Sequence, residues 1–225
     1  MITGILKLTV STVASLRKSQ KLLVRHIKNG GTKKNIRGRR DIKEMNKLKN
    51  ATCYLCGAMD RADDGGVEWR RGISPKLKDM GLGVLDPCNK PTDFAPEDGN
   101  FRDKIIELKK QKDYDEIKSC MKDIVAIDLR MVDLAHFVIM YVDLNVHMCG
   151  SYHEAFVATQ QKKPLLVVCK QGKHNVPNWM FGVMPHEHMF STWDGLLLYL
   201  HQINIGQIEN DHNRWRFFDF EKVYQ

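Results

Sequence analysis

No apolar run of about eighteen residues occurs in this sequence, so a membrane-spanning helix is not expected. Cysteine is sparse: six in 225 residues is too few for a disulfide-stapled secreted scaffold. Free thiols in a reducing, cytoplasmic interior are the expectation. Glycine-rich phosphate fingerprints are missing as well. The segment 59–66 (MDRADDGG) has two glycines but neither Gly-x-Gly-x-x-Gly nor a Walker lysine. Its three aspartates would repel a pyrophosphate, which disfavours dinucleotide-binding and P-loop enzymes.

Acidic residues are absent before Asp41, and the charge is unevenly spread. Residues 1–50 carry fourteen Lys or Arg against Asp41 and Glu44, a balance of +12. The other 175 residues hold 21 basic and 25 acidic side chains, a balance of −4. A basic extension (1–50) is therefore joined to a mildly acidic domain (51–225). Val13, Leu16, Leu23, Val24 and Ile27 fit one face of a helix closed by Asn29-Gly30-Gly31. The run Lys33-Lys34 and Arg37-Gly38-Arg39-Arg40 that follows has no interleaved aromatic residue. That composition suits a phosphate-seeking arm with non-specific nucleic-acid contact more than a base reader. A transit peptide and a solvated linker with an oligomer-contact helix fit the same residues.

The body alternates apolar runs with helical periodicity. Strands are expected at 51–57, 81–85, 136–142 and 164–169, with a short one near 186–191. Helices are expected at 67–80, 101–111, 114–126, 151–162 and 193–203, and 88–100 reads as a loop rich in Pro, Asp and Gly. This pattern predicts an α/β fold, a doubly wound parallel sheet of about five strands. In such sheets the ligand crevice lies beyond the carboxyl ends of the strands, here near the loops after Gly57, Val142 and Cys169.

Several residues near those loops admit more than one reading. Ser151-x-x-Glu154 fits a capping box, yet a carboxylate at a helix amino end beside the crevice also suits a nucleophile, kept ionised by the helix dipole. Asp128, before Leu129-Arg130-Met131, reads as a helix N-cap or as an acid. Tyr54 reads as core with a satisfied hydroxyl, and Asp143 as a turn starter or a ligand for ribose hydroxyls. Cys53-x-x-Cys56 is no zinc motif, because residues three apart on a strand point to opposite faces. Cys149 lacks an identifiable Cys–His–acid order. The histidines at 147, 153, 186 and 188 read as solvated. No metal and no cofactor is expected.

Three segments taken together resemble the nucleoside 2-deoxyribosyltransferase family and the related deoxynucleoside 5′-monophosphate N-glycosidases. They are Tyr54-Leu55-Cys56-Gly57-Ala58-Met59; Asp128-Leu129-Arg130-Met131-Val132 with Ala135-His136 and the strand ending at Asp143; and Gly150-Ser151-Tyr152-His153-Glu154 followed by Lys163-Pro164. The ending Phe218-Asp219-Phe220-Glu221-Lys222-Val223-Tyr224 is similar to the transferases' carboxyl terminus, which completes a neighbouring subunit's site. Two departures stand out: His136 replaces a usual Asp, and Met148, six residues before Glu154, replaces an acid that touches substrate.

The resemblance implies a flavodoxin-like fold and cleavage of the N-glycosidic bond of a (deoxy)nucleoside or nucleotide. Glu154 would be the nucleophile, Asp128 the residue that helps protonate the leaving base, and Tyr54 the orienter of Glu154. Substrate contacts would come from Gly57, Met59, Asp143, Gly150, Ser151, Asn178 and Tyr224, in a homo-oligomer with shared active sites. A second class of function fits as well: a catalytically silent member of this fold, binding nucleic acid or scaffolding through its basic arm.

Overall fold

The first strand, β1 (Thr52–Gly57), is a short apolar run stopped by glycine, and its last five residues are buried. The computed structural model describes residues 46–95, 97, 99–209 and 211–216. The expected helix over 13–28, the basic run after it and Tyr224 lie outside the described residues. After β1 come α1 (Val67–Asp79), β2 (Gly83–Leu85), α2 (Gly99–Gln111), α3 (Tyr114–Leu134), β3 (Phe137–Val142) and α4 (Cys149–Gln160). Then follow β4 (Leu165–Cys169), α5 (Asn178–Val183), β5 (Met189–Phe190) and α6 (Trp193–Asn204).

The strands form one five-stranded sheet in the order β2-β1-β3-β4-β5, and every pairing is parallel. The chain leaves β1 towards one edge and β3 towards the other, so the topological switch point lies between these two neighbours. The fold is the doubly wound α/β sheet that the alternation of strands and helices predicts. No helix among the described residues is long and apolar enough to cross a membrane.

Strand parity decides what each face carries. Cys53 and Leu55 join Phe137, Ile139, Leu166 and Val168 in a core covered by Leu77 of α1 and Leu196 and Leu200 of α6. Tyr54 and Cys56 join Val138, Met140, Val142 and Val167 on the opposite face, under Met131 and Val132 of α3 and Ala155 and Ala158 of α4. Cys53 and Cys56 therefore do point to opposite faces.

Four sequence expectations are corrected. The helix expected over 114–126 runs on to Leu134, capped by the Asp113 carboxylate, which accepts from the Glu116 amide at 3.2 Å. Asp128 thus sits inside a helix and caps nothing. Helix α4 begins at Cys149 with Met148 at its N-cap, so Ser151 is not a cap and there is no capping box. A short helix, α5, occupies a stretch that apolar periodicity does not mark. His188 is buried rather than solvated: it lies 3.0 Å from Asp211 and 2.9 Å from the Tyr199 hydroxyl, which in turn accepts from Trp215 Nε1 at 2.9 Å. Burial pushes His188 below the usual histidine range, against the pull of Asp211.

Arg70 ties the crevice end of the sheet together. Its side chain is 1% exposed, and its guanidinium donates to the carbonyls of Leu55 (3.2 Å), Gly57 (2.9 Å) and Gly66 (2.8 Å). Nε also lies 3.5 Å from Asp86, where the loop after β2 begins. The turn into α1 is built to accept this. Gly66 has φ +76, and Asp64 takes the amides of Gly66 (2.9 Å) and Glu68 (2.7 Å) in place of an N-cap side chain. Replacing Arg70 by Leu strands buried carbonyls and removes the charge that faces Asp86. The expected loss is about 3 kcal/mol in urea unfolding; a loss below about 1 kcal/mol would show that these bonds are replaceable.

Candidate active site

The central strand positions the first functional group. Tyr54 and Cys56 project from β1 towards α3 and α4, where Asp128 and Glu154 lie. The Tyr54 hydroxyl donates to Glu154 Oε1 at 3.0 Å. The Cys56 thiol reaches the same carboxylate and also lies 3.2 Å from the Ser151 carbonyl, in the first turn of α4. Three of the residues marked by the sequence, Tyr54, Asp128 and Glu154, are thus gathered on one side of the sheet.

Burial dominates the electrostatics of this cluster. The Glu154 carboxyl is pushed up to about 7, chiefly by desolvation, with Asp128's charge adding to the rise. Hydrogen bonds from Cys56 and Tyr54 and the charge of Arg70 oppose it. The helix dipole does not keep this group in the ordinary carboxylate range. Desolvation, with the charges of Glu154 and Asp128 next, raises Tyr54 well above its usual value, so Tyr54 remains a donor at neutral pH.

Asp128 is held from the other direction. Lys90, 3% exposed, places Nζ 2.8 Å from Asp128 Oδ1 and 2.7 Å from Glu97 Oε1. Lys90 and Glu97 both come from the segment read as a featureless loop. Nothing in a Pro- and Asp-rich composition distinguishes a buried lysine from a solvated one, so the sequence offers no signal for them. Arg70 and Cys56 were missed for the same reason: each looks ordinary until its partners are known.

The remaining candidates are dispersed. Gly57 closes β1, and a Cβ there would meet Trp69 at 2.8 Å, which is why glycine is needed. Met59 follows in the loop. Gly150 and Ser151 lie in the first turn of α4, Ser151 buried. Asn178 is the exposed first residue of α5. Asp143 follows β3 and holds the Asn145 amide (3.0 Å), Gln171 Nε2 (2.7 Å) and Lys170 Nζ (2.6 Å), so it both starts a turn and faces the crevice. Burial would raise its carboxyl, but these bonds outweigh it and hold it below the usual range.

A cavity of about 300 Å³ lies at the switch point, its walls including Ala58, Trp69, Tyr141, Asp143 and Lys170. Tyr54, Asp128 and Glu154 do not line it. The cavity opens on the α1 side of the sheet ends, beside the aromatic cluster of Trp69, Tyr141 and Trp193 with ring centroids 5.2–5.6 Å apart. Among the described residues, no three His, Cys, Asp or Glu side chains are grouped to hold a metal ion.

Of the two departures from the family pattern, only one is near the cluster. His136 precedes β3, at the opposite end of the sheet from the crevice, and its ring nitrogen lies 2.9 Å from the Thr52 hydroxyl. Met148 is buried at the start of α4.

Comparisons with known proteins are distant. No family model matches the chain, and no curated protein does. Among solved structures, the chain is similar to a 2-deoxyribosyltransferase from the psychrotolerant bacterium Bacillus psychrosaccharolyticus, at 16% identity and a TM-score of 0.46, over 65% of this chain and 90% of that one. A 2-deoxyribosyltransferase from Leishmania mexicana is similar at 15% identity and a TM-score of 0.34, over 54% of this chain and 66% of that one. Likeness at this distance carries no argument about chemistry. The chemistry rests on the residues.

The raised Glu154 carboxyl makes a linkage prediction. An acid whose folded value (about 7) exceeds its ordinary value (4.5) binds its proton more tightly in the folded state. Stability should therefore fall as pH rises between those two values and level off above the folded one. Relative to Glu154→Gln, the wild-type chain is expected to lose on the order of 3 kcal/mol across that window, read by urea unfolding at each pH. Parallel profiles for the two chains would show that Glu154 ionises as freely as a surface carboxylate.

Proposed function

We propose that this protein cleaves the N-glycosidic bond of a (deoxy)nucleoside or nucleotide and passes the glycosyl group, through Glu154, to another base or to water. The observation that carries the reading is the Tyr54 hydroxyl 3.0 Å from the half-buried Glu154 carboxylate, on the side of the sheet that also holds Asp128. Breaking a C–N glycosidic bond generates an oxocarbenium-like centre and a poor leaving group, and needs help at both ends. Ionised Glu154 bonds to the anomeric carbon and forms a glycosyl ester, as in retaining glycosidases. Tyr54 fixes which carboxylate oxygen is free to attack. Asp128 supplies acid assistance to the departing base.

A desolvated carboxylate with a raised proton affinity attracts a developing cation more strongly than a solvated one and carries little hydration to strip before attack. Base release is accordingly expected to rise with pH through about 7, as Glu154 loses its proton. Glu154→Ala should abolish base release from nucleosides and nucleotides, measured by chromatography. Tyr54→Phe should lower it by about tenfold with the fold retained. A Glu154→Ala chain that keeps most of its turnover returns Glu154 to a structural role.

Under this reading substrate contacts come from Gly57, Met59, Asp143, Gly150, Ser151 and Asn178, with Tyr224 supplied by a neighbouring subunit; the place of Asp143 in the cavity wall supports its part in this. Self-association is supported by the exposed Trp179 (73%) and Phe181 (45%) on α5, beside Asn178. Under this reading, chains lacking residues 219–225 lose activity but regain part of it when mixed with Glu154→Ala chains, because hybrid oligomers contain some intact sites. A fully active monomer overturns the shared site. Met148, with no carboxylate to offer a sugar, favours the second reading, a silent protein acting through its +12 extension; absence of base release with any nucleoside would support it.

A further inference from the structure

The reading above uses Asp128 but leaves its two buried partners unexplained. We propose that Glu97 is the proton reservoir for Asp128 and that Lys90 is the positioning residue that holds the two carboxyl groups together, an inference that rests on the base-release reading. The three side chains are 3% (Lys90), 10% (Asp128) and 16% (Glu97) exposed, and a single ammonium lies 2.7 and 2.8 Å from the two carboxyl groups. One cation between two carboxylates leaves an excess negative charge in poorly solvated surroundings. Binding one proton neutralises the group, so the arrangement stores a proton.

The side chains facing Glu97 favour that storage. Burial, then Asp128's charge, raise the Glu97 carboxyl; the bond and charge of Lys90 oppose the rise, and a hydrogen bond to Asp128 adds to it. Cys88, on the same loop, is pushed up to about 11 by burial and stays neutral. Arg70, from α1, faces Cys88 rather than Glu97.

The proton accounting closes over a full turnover. As a Glu154 oxygen bonds to the anomeric carbon, the C–N bond breaks and its electron pair stays on the base. Glu97's proton passes to Asp128, and from Asp128 to a ring nitrogen, so the base leaves neutral and Glu97 is left ionised beside Lys90. Water or an incoming base then attacks the anomeric carbon, the ester C–O bond returns its pair to Glu154, and the attacker's proton goes back through Asp128 to Glu97.

The test uses the full chain with 2′-deoxyadenosine, thymidine and their 5′-monophosphates, following base release from about pH 5 to about pH 9. In the wild type, release should pass through a maximum near neutrality, the rising limb following loss of the Glu154 proton and the fall on its alkaline side following loss of the Glu97 proton. In Glu97→Gln, kcat should drop roughly tenfold with KM within about twofold, and the alkaline fall should vanish. Lys90→Met removes the cation that opposes the raised Glu97 and should move the fall to higher pH, while Lys90→Arg restores the wild-type profile. If Lys90→Met does not fold, Glu97→Gln and Lys90→Arg decide. A folded Glu97→Gln chain that releases base with wild-type kcat and an unchanged alkaline fall overturns the reservoir and leaves the base-release reading standing. A folded wild type that releases no base from any of the four probes overturns both.

Discussion

The buried guanidinium of Arg70 is the constraint on which the site depends. It gathers the carbonyls of Leu55 and Gly57 at the end of β1, the carbonyl of Gly66 at the entry to α1, and faces Asp86 at the start of the loop after β2. That loop delivers Lys90 and Glu97 to Asp128, while β1 delivers Tyr54 to Glu154. One side chain thus fixes two backbone segments that approach the cluster from different directions. A lysine could supply the charge, but three carbonyls at different angles need the five donors of a planar guanidinium.

The carboxyl groups of Glu154 and Asp128 lie on the face opposite the aromatic cluster. Glu154 and Asp128 share a region that water scarcely enters, and Glu97 joins it through Lys90. Under such conditions carboxyl groups raise one another, and only matched partners keep the cost tolerable. The sheet answers with Tyr54 and Cys56 on one carboxylate and Lys90 on the other two. Burial raises both Glu154 and Glu97 above the ordinary carboxylate range, so neither is simply a solvated, fully ionised acid. Arg70, reaching Glu154 only through its charge, tempers that rise without occupying the carboxylate.

Much of the fold was legible in the sequence. Buried strands such as HFVIMYV and PLLVVC announce a parallel sheet, because helices on both faces demand uninterrupted apolar runs. The strict two-residue period of a strand is enough to separate Cys53 from Cys56. The readings that failed involved local signals overridden by distant partners. Asp128 resembles a cap only while its helix is thought to start there; the helix runs from Tyr114 to Leu134, and the Asp128 carboxylate pairs instead with Lys90. Ser151-x-x-Glu154 has the spacing of a capping box, but α4 starts two residues earlier and Glu154 is taken by Tyr54, a hundred residues away in the chain.

The sequence by itself determined the doubly wound sheet and where most of its strands end, since apolar periodicity is a local property; Tyr54, Asp128 and Glu154 stood out together only through the family resemblance. Only the tertiary structure decided their ionisation and their partners. Desolvation and Coulomb interaction depend on what surrounds a group in space, and Lys90, Glu97 and Arg70 reach the cluster through contacts that sequence order does not encode.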